Sequence, residues 1–496
     1  MKELQIWTDA LLGKVTMYRL VIYGLLAIGL SALGLMLSGY LSYSPTAFLL
    51  STVLIVVASY ASNKLFGWLF GVRPYAESAI ITGLILALLF MPPHNVMGYI
   101  DLILVAVFAN ASKYILVFRG KHIFNPAAVA IVIAAVSGVA YATWWIATPA
   151  LIPVTILVSL LVLYKIEKIQ IALLFLAVAL TLIFVQTMLR GSLSPAVIIE
   201  SMTSWPLFFF AGIMLSEPLT LAPRRQQQMI VAAVVGVLVT TDLHYGSLSM
   251  TPALALVIGN GLSFWYGIRR GITLRFVTHK KQGNDSYEFV FDTAPLQFQP
   301  GQYLELSLPH AHADSRGIRR VFSIIGRPGE EQLSLAMRVP EKASSFKHAL
   351  LAMKSGQTVH AVRVAGDFVL PDDPAVPILF VAGGVGITPF ISFLMSANGR
   401  RLKLIYAVND VSDMMFVDQL RQYDVDVVVA CPSAATLPEK SWIHESGRVN
   451  EEIIKRHLPT GAHVYVSGPP SMVKAVKAAA IGAGATKVHT DLFSGY

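Results

Sequence analysis

Cysteine is nearly absent, with Cys431 the only one among 496 residues. One thiol excludes an intrachain disulfide and any iron–sulfur cluster ligated by this chain's own cysteines. Charge is scarce as well: 14% of residues are charged, against about 25% in soluble domains. Histidine is thin where haem would need it. Before residue 270 there are only His94, His122 and His244, each beside an expected loop. No buried axial pairs can be assembled from them, which argues against b-type haem. Met1–Lys14 lacks the charged start, short apolar core and small-residue cleavage site of a signal peptide. The first apolar segment is therefore expected to be kept as a membrane helix.

Lys and Arg number 38 against 29 Asp and Glu, a formal net charge of +9. No basic patch with interleaved aromatics accompanies this excess, so nucleic-acid binding is not expected. The cations instead mark the ends of apolar runs. A membrane span needs about 20 apolar residues, and ten candidate runs lie near 17–39, 46–66, 77–92, 97–117, 124–141, 144–164, 169–188, 204–222, 228–243 and 250–268. Lys64 with Arg73, Lys113 with Arg119 and Lys121, Lys165 with Lys168, Arg224 with Arg225, and Arg269 with Arg270 fall in alternate loops. The positive-inside rule makes those loops cytoplasmic. The expectation is a multi-pass protein of the cell (inner) membrane, in contact with lipid, with both termini in the cytoplasm.

Segments three and eight share a Gly-apolar-Pro pattern, Gly83 to Pro92 and Gly212 to Pro218. Segments five and ten open with Asn125-Pro126-Ala127 and Thr251-Pro252-Ala253. Members of each pair lie five spans apart and cross in opposite senses, which suggests a 5+5 inverted repeat. Frequent Gly and Pro in membrane helices would produce the same pattern without a repeat. Glu217, beside Pro218, admits two readings: a functional intramembrane carboxylate, or an interfacial one paired with Arg224 or Arg225.

From Ile272 the pattern becomes short alternating strands: Leu274–Thr278, Ser286–Asp292, Tyr303–Leu308, Val321–Ile325 and Leu333–Val339. These predict a small antiparallel β-barrel. After Pro371-Asp372-Asp373-Pro374 come apolar runs at Ile378–Ala382, Lys403–Val408, Val425–Ala430, His463–Val466 and Lys487–Asp491, most of them separated by helical stretches. That predicts a doubly wound parallel α/β sheet. The expected architecture is a polytopic helical membrane domain, residues 1–270, fused to an α+β module with a barrel at 271–372 and an α/β domain at 373–496.

Arg320-Val321-Phe322-Ser323, Pro300-Gly301-Gln302-Tyr303, the glycine run Gly383-Gly384-Val385-Gly386-Ile387-Thr388-Pro389 and Ser467-Gly468-Pro469 together resemble the ferredoxin–NADP⁺ reductase superfamily over residues 272–496. The resemblance implies FAD in the barrel and NAD(P)H in the α/β domain. It makes Arg320 the partner of the flavin pyrophosphate, Phe322 the ring against the flavin, and Ser323 the hydroxyl near its reactive nitrogen. Val321 lies within the same motif, and Tyr303 sits on the preceding strand. Ser344, Ser345 and Phe346 stand where the family supplies phosphate contacts. Gly383, Gly384, Gly386, Thr388, Pro389, Gly468 and Pro469 would receive the nicotinamide nucleotide. Ser467 replaces the family's frequent cysteine, which should retune transfer. The tail Asp491-Leu492-Phe493-Ser494-Gly495-Tyr496 is similar to family tails in which an aromatic, here Phe493 or Tyr496, covers the flavin. Two acids and no base in Asn409-Asp410-Val411-Ser412-Asp413 lean towards NADH.

Ser78 to Leu84, His122-Ile123-Phe124-Asn125-Pro126-Ala127 and Ser216-Glu217-Pro218-Leu219-Thr220 resemble, over about residues 15–270, the NqrB/RnfD family of membrane proteins, found in the sodium-pumping NADH:quinone reductase and in the Rnf complex. That resemblance implies FMN in the membrane half, often joined to a threonine. Thr148, in Ala147-Thr148-Pro149, is the candidate; the same tripeptide also serves as an ordinary helix start. The resemblances imply a membrane flavoprotein that moves electrons from NAD(P)H through FAD to a second flavin or a quinone, and on to a quinone or extracytoplasmic acceptor or to other electron-transport subunits. An NAD(P)H:quinone reductase without transmembrane transfer, and a redox-linked carrier of sodium or protons, stand as alternatives.

Overall fold

The computed structural model describes residues 15–72, 74–118, 121–191, 194, 196–197, 199–200, 205–241, 243–245, 248–267, 272–310, 314, 318–396, 399–432 and 436–492. Two compact units result, Met1–Ile268 and Arg269–Tyr496.

In the first unit a helix lies within each of the ten apolar runs. Four of them, Met17–Leu37, Pro45–Leu69, Val96–Ile115 and Ile169–Leu189, have the length and composition to cross a membrane. The rest are shorter than the expectation of ten full spans: Ala76–Leu89, Pro126–Val136, Ile152–Lys165, Leu207–Phe209, Arg225–Thr240 and Pro252–Gly267. Their brevity has local causes. Asn125 caps its helix by accepting from the Ala128 N–H, with Pro126 in the first turn. The run at 144–164 begins with two 3₁₀ turns, Trp145–Ala147 and Pro149–Leu151. Leu207–Phe209 runs into the π-helical Phe210–Met214, and the chain turns at Glu217-Pro218, where proline supplies no donor.

Close backbone approach explains two of the glycines. A Cβ on Gly83 would lie 2.9 Å from Val56 Cα, and one on Gly212 would collide with Ser159. The packing partners repeat along the chain. Met17–Leu37 packs on Ile152–Lys165, and Pro126–Val136 packs on Pro252–Gly267. Pro45–Leu69 packs on Val96–Ile115 as Ile169–Leu189 packs on Arg225–Thr240. Pro126–Val136 and Pro252–Gly267 each follow a two-residue antiparallel ladder, Val117–Phe118 with Lys121–His122 and His244–Tyr245 with Leu248–Ser249.

The second unit contains an antiparallel sheet of β1 (Ile272–Lys281), β2 (Ser286–Asp292), β3 (Tyr303–Ser307), β4 (Arg319–Ser323), β5 (Gln332–Arg338) and β6 (Thr358–Ala365), in the order β4-β3-β6-β1-β2-β5. Just beyond β4, Ile325 exchanges both backbone hydrogen bonds with Ser334 of β5, at 3.0 and 2.7 Å. The two edges of the sheet meet there. Alternation puts Leu274, Phe276, Phe289, Phe291, Leu304, Phe322 and Leu335 into one core with Phe346, and each such side chain contributes about 1.5–3 kcal/mol on burial.

The remaining strands are parallel: β7 (Ile378–Gly383), β8 (Leu402–Ala407), β9 (Asp426–Cys431), β10 (Ile443–Ser446), β11 (His463–Gly468) and β12 (Lys487–Leu492), ordered β10-β9-β8-β7-β11-β12. Strands β6 and β10 are additions to the sequence expectation. The order reverses between β7 and β11, which makes a crevice at their carboxyl ends. Ile325, carried past β4, shares a hydrophobic cluster with Phe380 of β7 and with Ile387, which joins the barrel motif to the glycine turn.

Candidate functional site

The crevice is built from backbone. After β7, which is buried throughout, Gly384–Ile387 forms a 3₁₀ turn and Thr388–Ser396 a helix. Pro389 lies within that helix's first turn, and the Thr388 hydroxyl donates to the Val385 carbonyl at 3.0 Å. Gly384 takes φ +53°, and a Cβ there would meet nothing within 4 Å. Gly383 and Gly468 pack backbone against backbone at the switch point. A Cβ on Gly468, whose φ is +154°, would come within 3.1 Å of Gly383 Cα. A Cβ on Gly386 would collide with the Ser467 carbonyl, and one on Gly383 with Met472. Pro469 caps the following helix, Pro470–Gly482.

Tyr406 of β8 holds the turn from beneath. Its hydroxyl donates to the Gly384 carbonyl at 3.2 Å and accepts from the Met415 N–H at 3.0 Å. Burial pushes this phenol above its ordinary value, so it stays a neutral donor. Nothing in the sequence marked Tyr406, which reads as one more apolar strand residue. Ser467 is fully buried, and its Oγ has no hydrogen-bond partner among the described residues. An orphan hydroxyl beside a glycine-lined opening fits a polar ligand placed there. The crevice therefore suits a dinucleotide, which needs close backbone approach for its phosphates.

On the barrel, Tyr303 pairs directly with Ser323 across β3 and β4, so the two side chains share a face. Val321, on that same face, is 43% exposed. Phe322 departs from expectation. The pleat turns it away from Ser323 into the barrel core, where it stacks on Phe346 with centroids 6.1 Å apart. The ring that accompanies Ser323 is Tyr303, lying against Gly366.

Arg320, 9% exposed, sets its guanidinium 5.1 Å from the Phe346 ring centroid. Its Nη2 is 3.8 Å from Oδ1 of Asp314. Ser344 caps Ser345–Leu351 by accepting from the Lys347 N–H. The Ser345 N–H donates to Asp314 Oδ2 at 3.3 Å, and the Ser345 hydroxyl contacts the Asp314 N–H and His310 Nε2, each at 2.9 Å. A buried cation beside polar groups fits a cofactor phosphate. His310 and Asp314 had no motif to announce them.

Phe493 and Tyr496 lie outside the described residues. The Asp410 carboxylate accepts from the Ser412 N–H at 2.8 Å and from its hydroxyl, bonds that hold it below the usual carboxylate range. Asp413 accepts from Asn284 at 3.0 Å. Asp410 thus holds its own loop, while Asp413 ties that loop to the turn between β1 and β2. In the helical unit the Thr148 hydroxyl donates to the Trp145 carbonyl at 2.6 Å, as an ordinary turn residue does. Glu217 meets His122 Nε2 at 3.1 Å and Asn125 Nδ2 at 2.9 Å; of the two sequence readings, these contacts replace the pairing with Arg224 or Arg225.

Residues 380–478 match the family of the oxidoreductase NAD-binding domain. The flavohemoprotein of Bacillus cereus is 27% identical over 201 residues, covering 37% of this chain and 49% of that protein. The toluate 1,2-dioxygenase electron transfer component of Pseudomonas putida is 31% identical over 186 residues, covering 36% and 54%. The solved FAD/NAD-binding domain of nitric oxide dioxygenase from Vibrio cholerae is 19% identical, with a TM-score of 0.39, covering 45% of this chain and 99% of its own. The chain spans about half the length of the curated relatives it matches. The second unit is thus similar to parts of flavohemoproteins and of dioxygenase electron transfer components, and its glycine turn lies within the region that matches an NAD-binding domain.

Proposed function

We propose that the chain is a membrane flavin oxidoreductase, with a transmembrane unit over residues 1–270, a flavin barrel over 271–372 and a nucleotide domain over 373–496. Gly383–Ile387 and Ser467–Pro469 would hold NAD(P)H. Tyr303 and Ser323, with Arg320 and Ser345, would hold FAD. The observation that carries this reading is the glycine turn at the β7–β11 switch point, where a Cβ on Gly384 would meet nothing within 4 Å and the Ser467 hydroxyl is orphaned among the described residues.

When bound, nicotinamide and flavin supply a two-electron donor and a carrier that also releases single electrons. The protein's share is placement. Tyr406 steadies the glycine turn, Arg320 and Ser345 orient phosphate, and Ser323 and Ser467 present hydroxyls to the reacting rings.

Electrons then enter the helical unit and pass into or across the membrane through FMN or a quinone. The hydrocarbon core is about 30 Å thick, too wide for a single carrier on one face. Four long apolar helices and the paired packing of first with sixth and fifth with tenth helices support a repeat like that of the NqrB/RnfD family. The Glu217–His122–Asn125 cluster favours the redox-linked ion carrier as the second reading.

Full-length protein in sealed vesicles tests the scheme. Two flavins per chain and NADH-driven reduction of an impermeant acceptor inside the vesicle are expected. One flavin with reduction of quinone alone overturns transmembrane transfer, and sodium or proton uptake tied to turnover selects the second reading.

A further inference from the structure

The barrel grips the parallel-sheet part of the second unit just beyond β1. Gln282, Gly283, Asn284 and Asp285 make the turn from β1 to β2. Asn284 Nδ2 donates to Ser412 Oγ at 2.9 Å and to Asp413 Oδ1 at 3.0 Å. Gly283 takes φ +81°, and a Cβ there would come within 3.1 Å of the Ser412 carbonyl oxygen. The turn therefore packs directly on the loop that follows β8.

Gln282 carries the grip inward. Its Oε1 accepts the Phe416 N–H at 3.3 Å, and its Nε2 donates to Oε2 of the buried Glu288 at 3.0 Å. The two neighbours fix the orientation of the amide, since a backbone N–H can only donate and a carboxylate accepts. Phe416 needs such holding. It is buried, and its φ of +59° is left-handed backbone, which a bulky residue keeps only where its surroundings impose it. Met415, the residue before it, donates its N–H to the Tyr406 hydroxyl at 3.0 Å, and that hydroxyl donates to the Gly384 carbonyl at 3.2 Å. Glu288, Gln282, the Phe416–Met415 backbone, Tyr406 and Gly384 thus form one continuous series from a barrel strand to the glycine turn.

We infer that Gln282 is a positioning residue for the nicotinamide nucleotide: through Phe416, Met415 and Tyr406 it sets the Gly384 carbonyl, and with it the shape of the turn. This rests on the reading of Gly383–Ile387 as the nucleotide site.

The test titrates full-length protein in detergent with NADH and follows flavin reduction at saturating NADH by stopped flow. Gln282→Met, close in size but without the amide, should weaken NADH binding about fivefold, the weight of roughly one hydrogen bond, and leave the saturated rate unchanged. Gln282→Glu sets two carboxylates side by side and should weaken binding further. Adding Glu288→Gln to it restores a carboxylate–amide bond and an acceptor for the Phe416 N–H, so this exchange should return NADH affinity to that of the unaltered protein. Gln282→Met combined with Tyr406→Phe should lose no more affinity than Tyr406→Phe alone, because both break the same series. Unchanged affinity in Gln282→Met, an exchange that fails to restore binding, or losses that multiply with Tyr406→Phe overturns the inference. Gly384→Ala separates this role from the reading beneath it. If Gly384→Ala weakens NADH binding while Gln282→Met does not, the positioning role alone fails; if Gly384→Ala also leaves binding unchanged, the nucleotide is not held at this turn.

Discussion

Two neighbouring glycines should respond to the same added methyl in different ways. In Gly386→Ala the new Cβ collides with the Ser467 carbonyl and comes within 2.7 Å of Gly468 Cα. Both obstacles are backbone, so neither swings aside. Overpacking costs about 1–3 kcal/mol, and two rigid neighbours put this case near 3. A unit of this size melts about 2–4 °C lower per kcal/mol, so the soluble unit should lose about 6–12 °C. In Gly384→Ala the Cβ meets nothing within 4 Å. Only the left-handed φ of +53° is penalised, at about 1–2 kcal/mol. Its methyl, however, stands where the nucleotide approaches, so NADH affinity should fall by about tenfold or more. The assay is the melting of full-length protein in detergent, paired with NADH titration. Gly386→Ala melting like the unaltered protein would refute the steric argument. Unchanged NADH binding by Gly384→Ala would refute the placement of the nucleotide.

Ser467→Ala removes a buried hydroxyl that has no partner among the described residues. It should stabilise the nucleotide-free protein by about 1 kcal/mol while slowing flavin reduction by NADH in stopped flow; a lower melting temperature would count against this. His489 is held at about 4, against an ordinary 6.5, by burial first and then by Lys487 and His463. Its folded value is depressed, so the unfolded chain takes up a proton that the folded one refuses. The stability is full above pH 6.5 and is lost as pH falls towards about 4. Between pH 7 and pH 5 the unaltered protein should lose more in melting temperature than His489→Phe, and equal losses would sink the assignment.

Much of the second unit was readable in advance. The aromatic and β-branched run in Ser286–Asp292 and the unbroken apolar run Ile378–Ala382 named their strands because pleat and burial act residue by residue. The structure added β6 and β10. Ile443-His444-Glu445-Ser446 has too few apolar residues to announce itself, and it becomes a strand only because β9 offers an open edge. Of the ten expected spans, four helices have the length and composition to cross a membrane; others are shorter, since Pro126, Pro149 and the π-helical stretch at Phe210 shorten helices without changing hydropathy.

What the sequence by itself determined is the chemistry on offer: glycines where a strand turns into a helix, an arginine and a serine three apart on one strand, and a single thiol, Cys431. Those depend on residue type and short spacing. Tertiary structure decided which groups meet. Phe322 faces the core and Tyr303 takes its place beside Ser323 because antiparallel register couples residues some twenty apart. Gly383 confronts Gly468 because the sheet reverses its winding between β7 and β11. Asp314 meets Ser345 across 31 residues of sequence, and contacts of that range leave no periodic trace along the chain.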